Sequence, residues 1–372
     1  MIKDLTIKNF KTHRDLEMKD LANVNILLGK NNSGKTAVLE ALFLLYHSLN
    51  RTDTHVTLDL LNYMRGYING ADSGEKWNSL FYNWDFSKEI YIEAKEDVEQ
   101  NNTEKDNIRS LSIKPIITGK RPDSFSAIGV MDLSGITKGL SWTITYPSGN
   151  SVKYQIEDLD TMTEQQKIED NENLLASFKE AIIVRTDFIS ARGLTNIRRE
   201  AERFSRLEVE NRVDKINELL KILRNFEPNL KRLFIGATKN GTTIYGDIGL
   251  DRPIPLPLMG DGMLHAFSIA LSMVNSQNGL VLIDEIENGL HYSVLTEVWR
   301  MILQTSHDLI VQVFATTHSD ECLKAAYEAV DSLEYYDNLK LFRFDRTEDE
   351  TKVVDYSTKQ LLYAIASEQE VR

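Results

Sequence analysis

An eight-residue run, Gly29-Lys30-Asn31-Asn32-Ser33-Gly34-Lys35-Thr36, has glycine at its first and sixth positions and closes on Lys-Thr. Glycines let successive backbone N–H groups turn inward onto an anion, a lysine at the helix start reaches the terminal phosphates, and the following hydroxyl can hold Mg2+. The spacing predicts a phosphate loop, with Gly29, Asn31, Asn32, Ser33, Gly34, Lys35 and Thr36 around a nucleoside triphosphate. A second run, Gly279-Leu280-Val281-Leu282-Ile283-Asp284-Glu285, reads as a buried strand delivering two carboxylates to its C-terminal edge, where ligands sit in parallel sheets. Asp284 is then expected to serve Mg2+, and Glu285 to act as the base that orients an attacking water. An apolar strand ending in Asp-Glu is common, so this run gains its weight from the loop.

Two further elements join them. Val311-Gln312-Val313-Phe314-Ala315-Thr316-Thr317-His318 is another strand, and its histidine is expected at the same sheet edge, where an imidazole can sense or polarise a terminal phosphate. Gly260-Asp261-Gly262 opens an apolar helix about twenty residues before the carboxylates. It reads either as a helix cap with Asp261 in the first turn or as a second phosphate-contacting helix N-terminus.

The elements that must position these groups show in the periodicity. The first thirty residues alternate as strands, ending in Val24-Asn25-Ile26-Leu27-Leu28 directly before the loop. Residues 34–49 form a helix apolar on most faces, which must be buried. From 51 to 179 polar stretches separate short strand-like runs, EIYIEA, LSIKPII, SWTITY and SVKYQI, predicting an inserted, mainly β sub-domain. A helical pattern covers 200–225, and a hairpin follows around Lys239-Asn240-Gly241. The last third alternates helix 262–274, strand 280–284, helix 291–305, strand 309–315, helix 319–330, strands 339–344 and 351–355 and helix 357–366, the signature of a largely parallel sheet.

Composition narrows the partners. The 372 residues carry 43 Lys and Arg against 56 Asp and Glu, a net charge of −13, which argues against a generally basic nucleic-acid coat. Residues 192–232 run the other way, with eleven basic against seven acidic side chains. That segment is either a solvated helix laced with ion pairs or a lobe facing DNA, RNA or an acidic partner. The longest apolar run, Ala41 to Tyr46, is six residues, far short of the ~20 that span a bilayer, so no membrane partner is expected. A single cysteine, Cys322, and an N-terminus without a secretory pattern fit a cytoplasmic protein.

Taken in order, the four elements resemble the ATPase heads of the ABC superfamily, in the RecF-, OLD- and SMC-like branch often labelled AAA family ATPase in bacteria. The opening MIKDLTIKNFKTHRDLEM is similar to that branch's start, the loop follows its G-x-N-x-S-G-K-[ST] pattern, and DEIENGLH stands at 284–291. The resemblance covers residues 1–50 and about 180–372. It implies an α/β P-loop NTPase fold in one discontinuous head: a largely parallel central sheet, an N-terminal antiparallel β element and the β-rich insert. It implies ATP and Mg2+ as cofactors, with Lys11 near the nucleotide and Thr36 and Asp284 on the metal. Glu285 and His318 would be catalytic. Two heads would pair head to tail, Gly260, Asp261 and Gly262 of one acting in trans on the other's γ-phosphate, with Asn288, Gly289 and His291 in the crossing loop. The usual signature serine is replaced by Gly260.

These features imply an ATP-driven switch, a sensor or regulator working as a homodimer or higher homo-oligomer with a separately encoded effector. Stand-alone bacterial proteins of this kind are often linked to defence against phage or mobile DNA. The alternatives are an OLD-like DNA-processing subunit with a nuclease partner and a nucleotide-binding scaffold. Only 54 residues follow His318, too few for an appended nuclease domain. Without heptads the insert builds no long coiled-coil arm, and roughly 245 residues between loop and carboxylates argue against a transporter subunit.

Overall fold

A computed structural model describes residues 1–47, 79–97, 107–117, 137–147, 149, 151–157, 184–191, 197–238, 241–347, 351–357 and 360. The chain divides into two compact units: Met1–Leu21, Asn31–Val184 and Phe344–Val353 in one, Ala22–Lys30, Arg185–Arg343 and Val354–Arg372 in the other.

Along the chain, β1 (Ile2–Phe10) and β2 (His13–Met18) precede β3 (Val24–Leu28) and α1 (Lys35–His47). Next come β4 (Ile90–Glu96), β5 (Asn107–Ile117), β6 (Thr137–Thr145), β7 (Ser151–Glu157) and β8 (Thr186–Ile189). Two helices follow, α2 (Ile197–Val209) and α3 (Val213–Leu223), then β9 (Arg232–Thr238), β10 (Gly241–Asp247) and β11 (Ile254–Pro255). The remainder alternates: α4 (Asp261–Asn275), β12 (Leu280–Ile283), α5 (Tyr292–Leu309), β13 (Gln312–Thr317), α6 (Asp320–Leu333), β14 (Leu339–Arg346) and β15 (Thr351–Ser357).

The first unit is built on a six-stranded sheet in the order β2-β1-β4-β5-β6-β7, every neighbouring pair antiparallel. Period-two burial sets its register: Ile7 lies opposite Leu16 on β2 and Ile92 on β4, and all three are buried. The strands predicted for an inserted sub-domain thus continue the sheet that the N-terminal pair begins. Helix α1 packs against β1, β4 and β5, and its apolar character follows, since Val38, Leu39, Ala41, Leu42, Leu44 and Leu45 are all buried. A buried polar network ties its end to the sheet: Tyr46 donates to Glu96 Oε1 at 2.8 Å, and Arg109 Nε donates to the same oxygen at 2.6 Å. Burial holds the Tyr46 phenol well above its ordinary range.

The second unit carries the other six-stranded sheet, ordered β15-β14-β3-β13-β12-β8, in which β14, β3, β13, β12 and β8 run parallel. Parallel strands buried on both faces read as continuous apolar runs, as LVLI in β12 and VNILL in β3 do. Their side chains share a core with Phe267 of α4 and Trp299 of α5, and each such buried residue contributes about 1.5–3 kcal/mol. Asn25, fully buried in β3, is satisfied through Ala22: its Oδ1 accepts the Ala22 N–H at 2.9 Å and its Nδ2 donates to the Ala22 carbonyl at 2.8 Å. A separate antiparallel sheet, β11-β10-β9, contains the predicted hairpin, with Ile235 opposite Ile244; residues 239 and 240 of its turn lie outside the described ones.

The helical pattern at 200–225 forms two helices. Asn211 between them takes φ +53°, a left-handed conformation that asparagine tolerates and a helix cannot contain. The helix predicted at 357–366 falls almost entirely outside the described residues, and Ser357 itself ends β15.

Candidate functional site

The parallel sheet gathers three sequence-predicted groups at one edge. In the order β3-β13-β12 the chain leaves β3 into Gly29, β13 into His318 and β12 into Asp284-Glu285, all at the C-terminal ends of adjacent parallel strands. Thr316, fully buried in β13, links two of them. Its hydroxyl donates to Asp284 Oδ1 at 2.8 Å and accepts the Glu285 N–H at 2.8 Å. Glu285 sits at φ +49°, a left-handed conformation that a residue with a side chain adopts only when its surroundings hold it there. The backbone bond from Ile286 N–H to the Thr316 carbonyl, 3.1 Å, closes the link. His318 is half exposed, and its backbone N–H and ring Nδ1 both meet Glu287 Oε1, at 2.9 and 3.1 Å.

In the first unit, the loop residues Asn31 to Thr36 are braced from behind. Asn32 and Gly34 take φ +63° and +98°. His13 Nε2 lies 2.9 Å from the Gly34 carbonyl, so it is the donor. The other ring nitrogen is buried without a hydrogen-bond partner, and burial pushes the His13 pKa down; the ring is neutral. A Cβ on Gly34 would come within 2.5 Å of His13 Cε1 and 2.7 Å of Thr12 Oγ1, so only glycine fits. Arg346 Nη1 donates to the Asn32 carbonyl at 2.9 Å. Ser33 is buried, and its hydroxyl has no hydrogen-bond partner among the described residues. Lys35 is buried at the first position of α1, with Thr36 beside it in the first turn.

Lys11 sits at φ +50°, and its ammonium pairs with Glu40 of α1, both side chains almost completely buried. Its charge is directed into the protein, and what it offers a ligand is its backbone and stem. The neighbouring Asn9 donates to the Lys88 carbonyl at 3.1 Å.

A second cluster lies on the second unit. Gly260, at φ +103° and exposed, caps α4 with no atom near its missing Cβ; Asp261 follows, exposed, and Gly262 packs toward Val294. His265 donates from Nδ1 to the Asp261 carbonyl at 3.2 Å, and its Cε1 lies 3.2 Å from where a Gly289 Cβ would stand. The start of α4 and the 288–294 loop therefore share one face. Asn288 is anchored to the Ala191 carbonyl at 3.0 Å, while His291 caps α5, its Nδ1 accepting from Ser293. Two large apolar side chains near these loops, Leu258 and Tyr292, are 75% and 69% exposed.

Part of the basic segment makes internal pairs. Arg198, Arg199, Arg203, Arg212, Lys221 and Arg232 each meet a carboxylate. Arg203 is the most consequential: it joins Glu200 at 3.0 Å, Asp187 of β8 and the Ser272 hydroxyl of α4. Burial pushes the Glu200 carboxyl up even with that arginine beside it.

His13, Thr316, Glu287, His265 and Arg346 escape a sequence reading because nothing local marks them. The one available signal is that Thr316 and Glu287 each lie two residues from a motif residue, His318 and Glu285 respectively.

Residues 1–117 match the family model described as "AAA ATPase domain", and residues 165–324 match "AAA domain, putative AbiEii toxin, Type IV TA system". A Helicobacter pylori protein named ATP/GTP phosphatase is 25% identical over 371 residues, covering 92% of each chain. A Lactococcus lactis protein, "DNA replication and repair protein RecF", is 41% identical over 56 residues, 15% of this chain and 14% of its own. Among solved structures, an Smc head bound to the C-terminal winged-helix domain of ScpA aligns over 97% of this chain and 99% of its own, with 14% identity and a TM-score of 0.49.

Proposed function

We propose that this chain, which carries AAA-family ATPase domains at both matched spans, is an ABC-type head that binds and hydrolyses ATP and uses the cycle as a conformational switch. The observation that carries the reading is the convergence of Asp284, Glu285 and His318 on the strand edge next to β3, from which the glycine loop departs. Gly29, Asn31, Asn32, Ser33, Gly34 and Lys35 would wrap the phosphates through backbone N–H groups, the Ser33 hydroxyl and the Lys35 ammonium, with Lys11 further along the nucleotide. Their fit to an anion is supported by the partnerless Ser33 hydroxyl and by the room that Gly34 leaves.

Mg2+ suits the donors available. Thr36 and Asp284 would supply hard oxygens of the kind that Mg2+ takes. A cation completed by phosphate oxygens and water matches that supply; when bound it neutralises charge on the terminal phosphates. Glu285 orients the attacking water and accepts its proton, and Thr316 keeps that carboxylate at its station. His318 faces the terminal phosphate.

Gly260, Asp261, Gly262, Asn288, Gly289 and His291 would meet a second copy, head to tail. Their shared exposed face and the bare Leu258 and Tyr292 support this. With Gly260 in place of a serine, the contact relies on backbone N–H groups at the start of α4. The switch would drive a separately encoded effector, in defence against phage or mobile DNA. Arg198, Lys221 and Arg232 keep 82%, 67% and 66% side-chain exposure, so DNA or RNA would reach the segment through them.

The test is nucleotide affinity in Lys35→Ala, measured by calorimetry beside the unaltered protein. Loss of ATP binding is expected; unchanged affinity overturns the reading.

A further inference from the structure

The run that ends β12 carries one more carboxylate than the proposed chemistry uses. Asp284 and Glu285 have roles; Glu287 has none, yet it is not a surface group. Its side chain is 12% exposed, and its Oε2 is buried with no hydrogen-bond partner. The other oxygen, Oε1, accepts the His318 backbone N–H at 2.9 Å and lies 3.1 Å from the same residue's ring Nδ1. One oxygen therefore lies close to both the root and the ring of a single side chain, where it favours a ring with its proton on Nδ1. The wall behind is α6, where the fully buried Cys322 has its thiol pushed up to about 12 by burial and then by the charge of Glu287.

A histidine whose Nδ1–H is spent on a carboxylate presents Nε2 alone. It is an acceptor while the ring is neutral and a donor to a phosphate oxygen once the ring takes a proton. The ring is 47% exposed on the strand edge where Asp284 and Glu285 emerge. We propose that Glu287 is a positioning residue that locks His318 as its Nδ1–H form and aims Nε2 at the terminal phosphate. The proposal rests on the ATPase reading for its target, but the lock itself does not.

Two measurements separate the lock from its target. In protein labelled with 15N-histidine, at a pH where the ring is neutral, long-range proton–nitrogen correlation should show His318 as the Nδ1–H tautomer, and Glu287→Ala should lose that preference. An Nε2–H tautomer in the unaltered protein overturns the proposal. In steady-state ATP turnover, Glu287→Ala should lower kcat about 10- to 100-fold, the usual effect of losing a partner that orients a reactive histidine, with KM changed less than about twofold. Glu287→Gln, whose amide oxygen retains both acceptor roles, should recover most of the rate. In a His318→Ala background, Glu287→Ala should cost nothing more; additive losses, or a His318→Ala protein with full activity, overturn the proposal. The expected tautomer in a protein that turns over no nucleotide supports the lock and overturns the ATPase reading.

Discussion

Thr316→Val keeps a β-branched side chain at a fully buried strand position and removes one hydroxyl. That hydroxyl accepts the Glu285 N–H and donates to Asp284, each at 2.8 Å. A hydrogen bond to a charged carboxylate is worth about 1.5–3 kcal/mol, and an amide left without a partner costs about 1–3 kcal/mol. Glu285 also holds a left-handed φ of +49°, which disfavours a side-chain-bearing residue by about 1–2 kcal/mol and relaxes once the bond is gone. If about 1.5–3 kcal/mol of this is lost from the placement of the general base, turnover falls about 10- to 100-fold, since each 1.4 kcal/mol is a factor of about ten. Stability should fall by about 2 kcal/mol in urea titration. Thr316→Ser restores the hydroxyl and should recover both. Phosphate release at saturating ATP, with the urea titration beside it, reads the two effects. Thr316→Val with unaltered turnover would refute the argument that this bridge sets Glu285.

The brace behind the phosphate loop should respond to acid. His13 has a folded pKa below its ordinary 6.5, so between that value and 6.5 the unfolded chain binds more protons. The stabilisation is present above about pH 6.5 and is lost as pH falls below it. Comparing unfolding free energies of the unaltered protein and His13→Gln from pH 7.5 down to 5 should show a shallower decline in the variant; parallel curves would remove His13 from the explanation. Away from the nucleotide, Arg203→Ala leaves Asp187 and Glu200 together in a largely buried pocket. Breaking such a pair costs about 3–5 kcal/mol, measurable in urea, and a loss below about 1 kcal/mol would mean that water replaces the guanidinium.

The residues proposed to carry chemistry are legible because they sit where a strand or helix changes state, and those boundaries leave a pattern. Val24–Leu28 before the loop, Leu280–Ile283 before the carboxylates and the βα alternation after 260 all appear in the structure. What was not legible depends on pairing at long range. Periodicity marks EIYIEA as a strand but does not say that Ile92 will lie opposite Ile7, so a single six-stranded sheet looked like an added sub-domain. The four residues of β8, TDFI, are too short for any period, yet they pair with β12 and bring Asp187 to Arg203. Apolar spacing through 200–225 stays in phase across Asn211, so the break between α2 and α3 left no trace except an Asn. His13 and Thr316 act through contacts 21 and 32 residues away, which no local window contains.

Under the proposed function, Glu285 drives nucleotide hydrolysis in a head that closes on a second copy. Glu285→Gln keeps the size of the side chain and removes its ability to take a proton from water. Its mass in solution with ATP and Mg2+, measured by light scattering on a sizing column alongside phosphate release, should show a dimer that binds ATP without turning it over. A variant that stays monomeric with ATP bound, or that hydrolyses ATP at the unaltered rate, would contradict it.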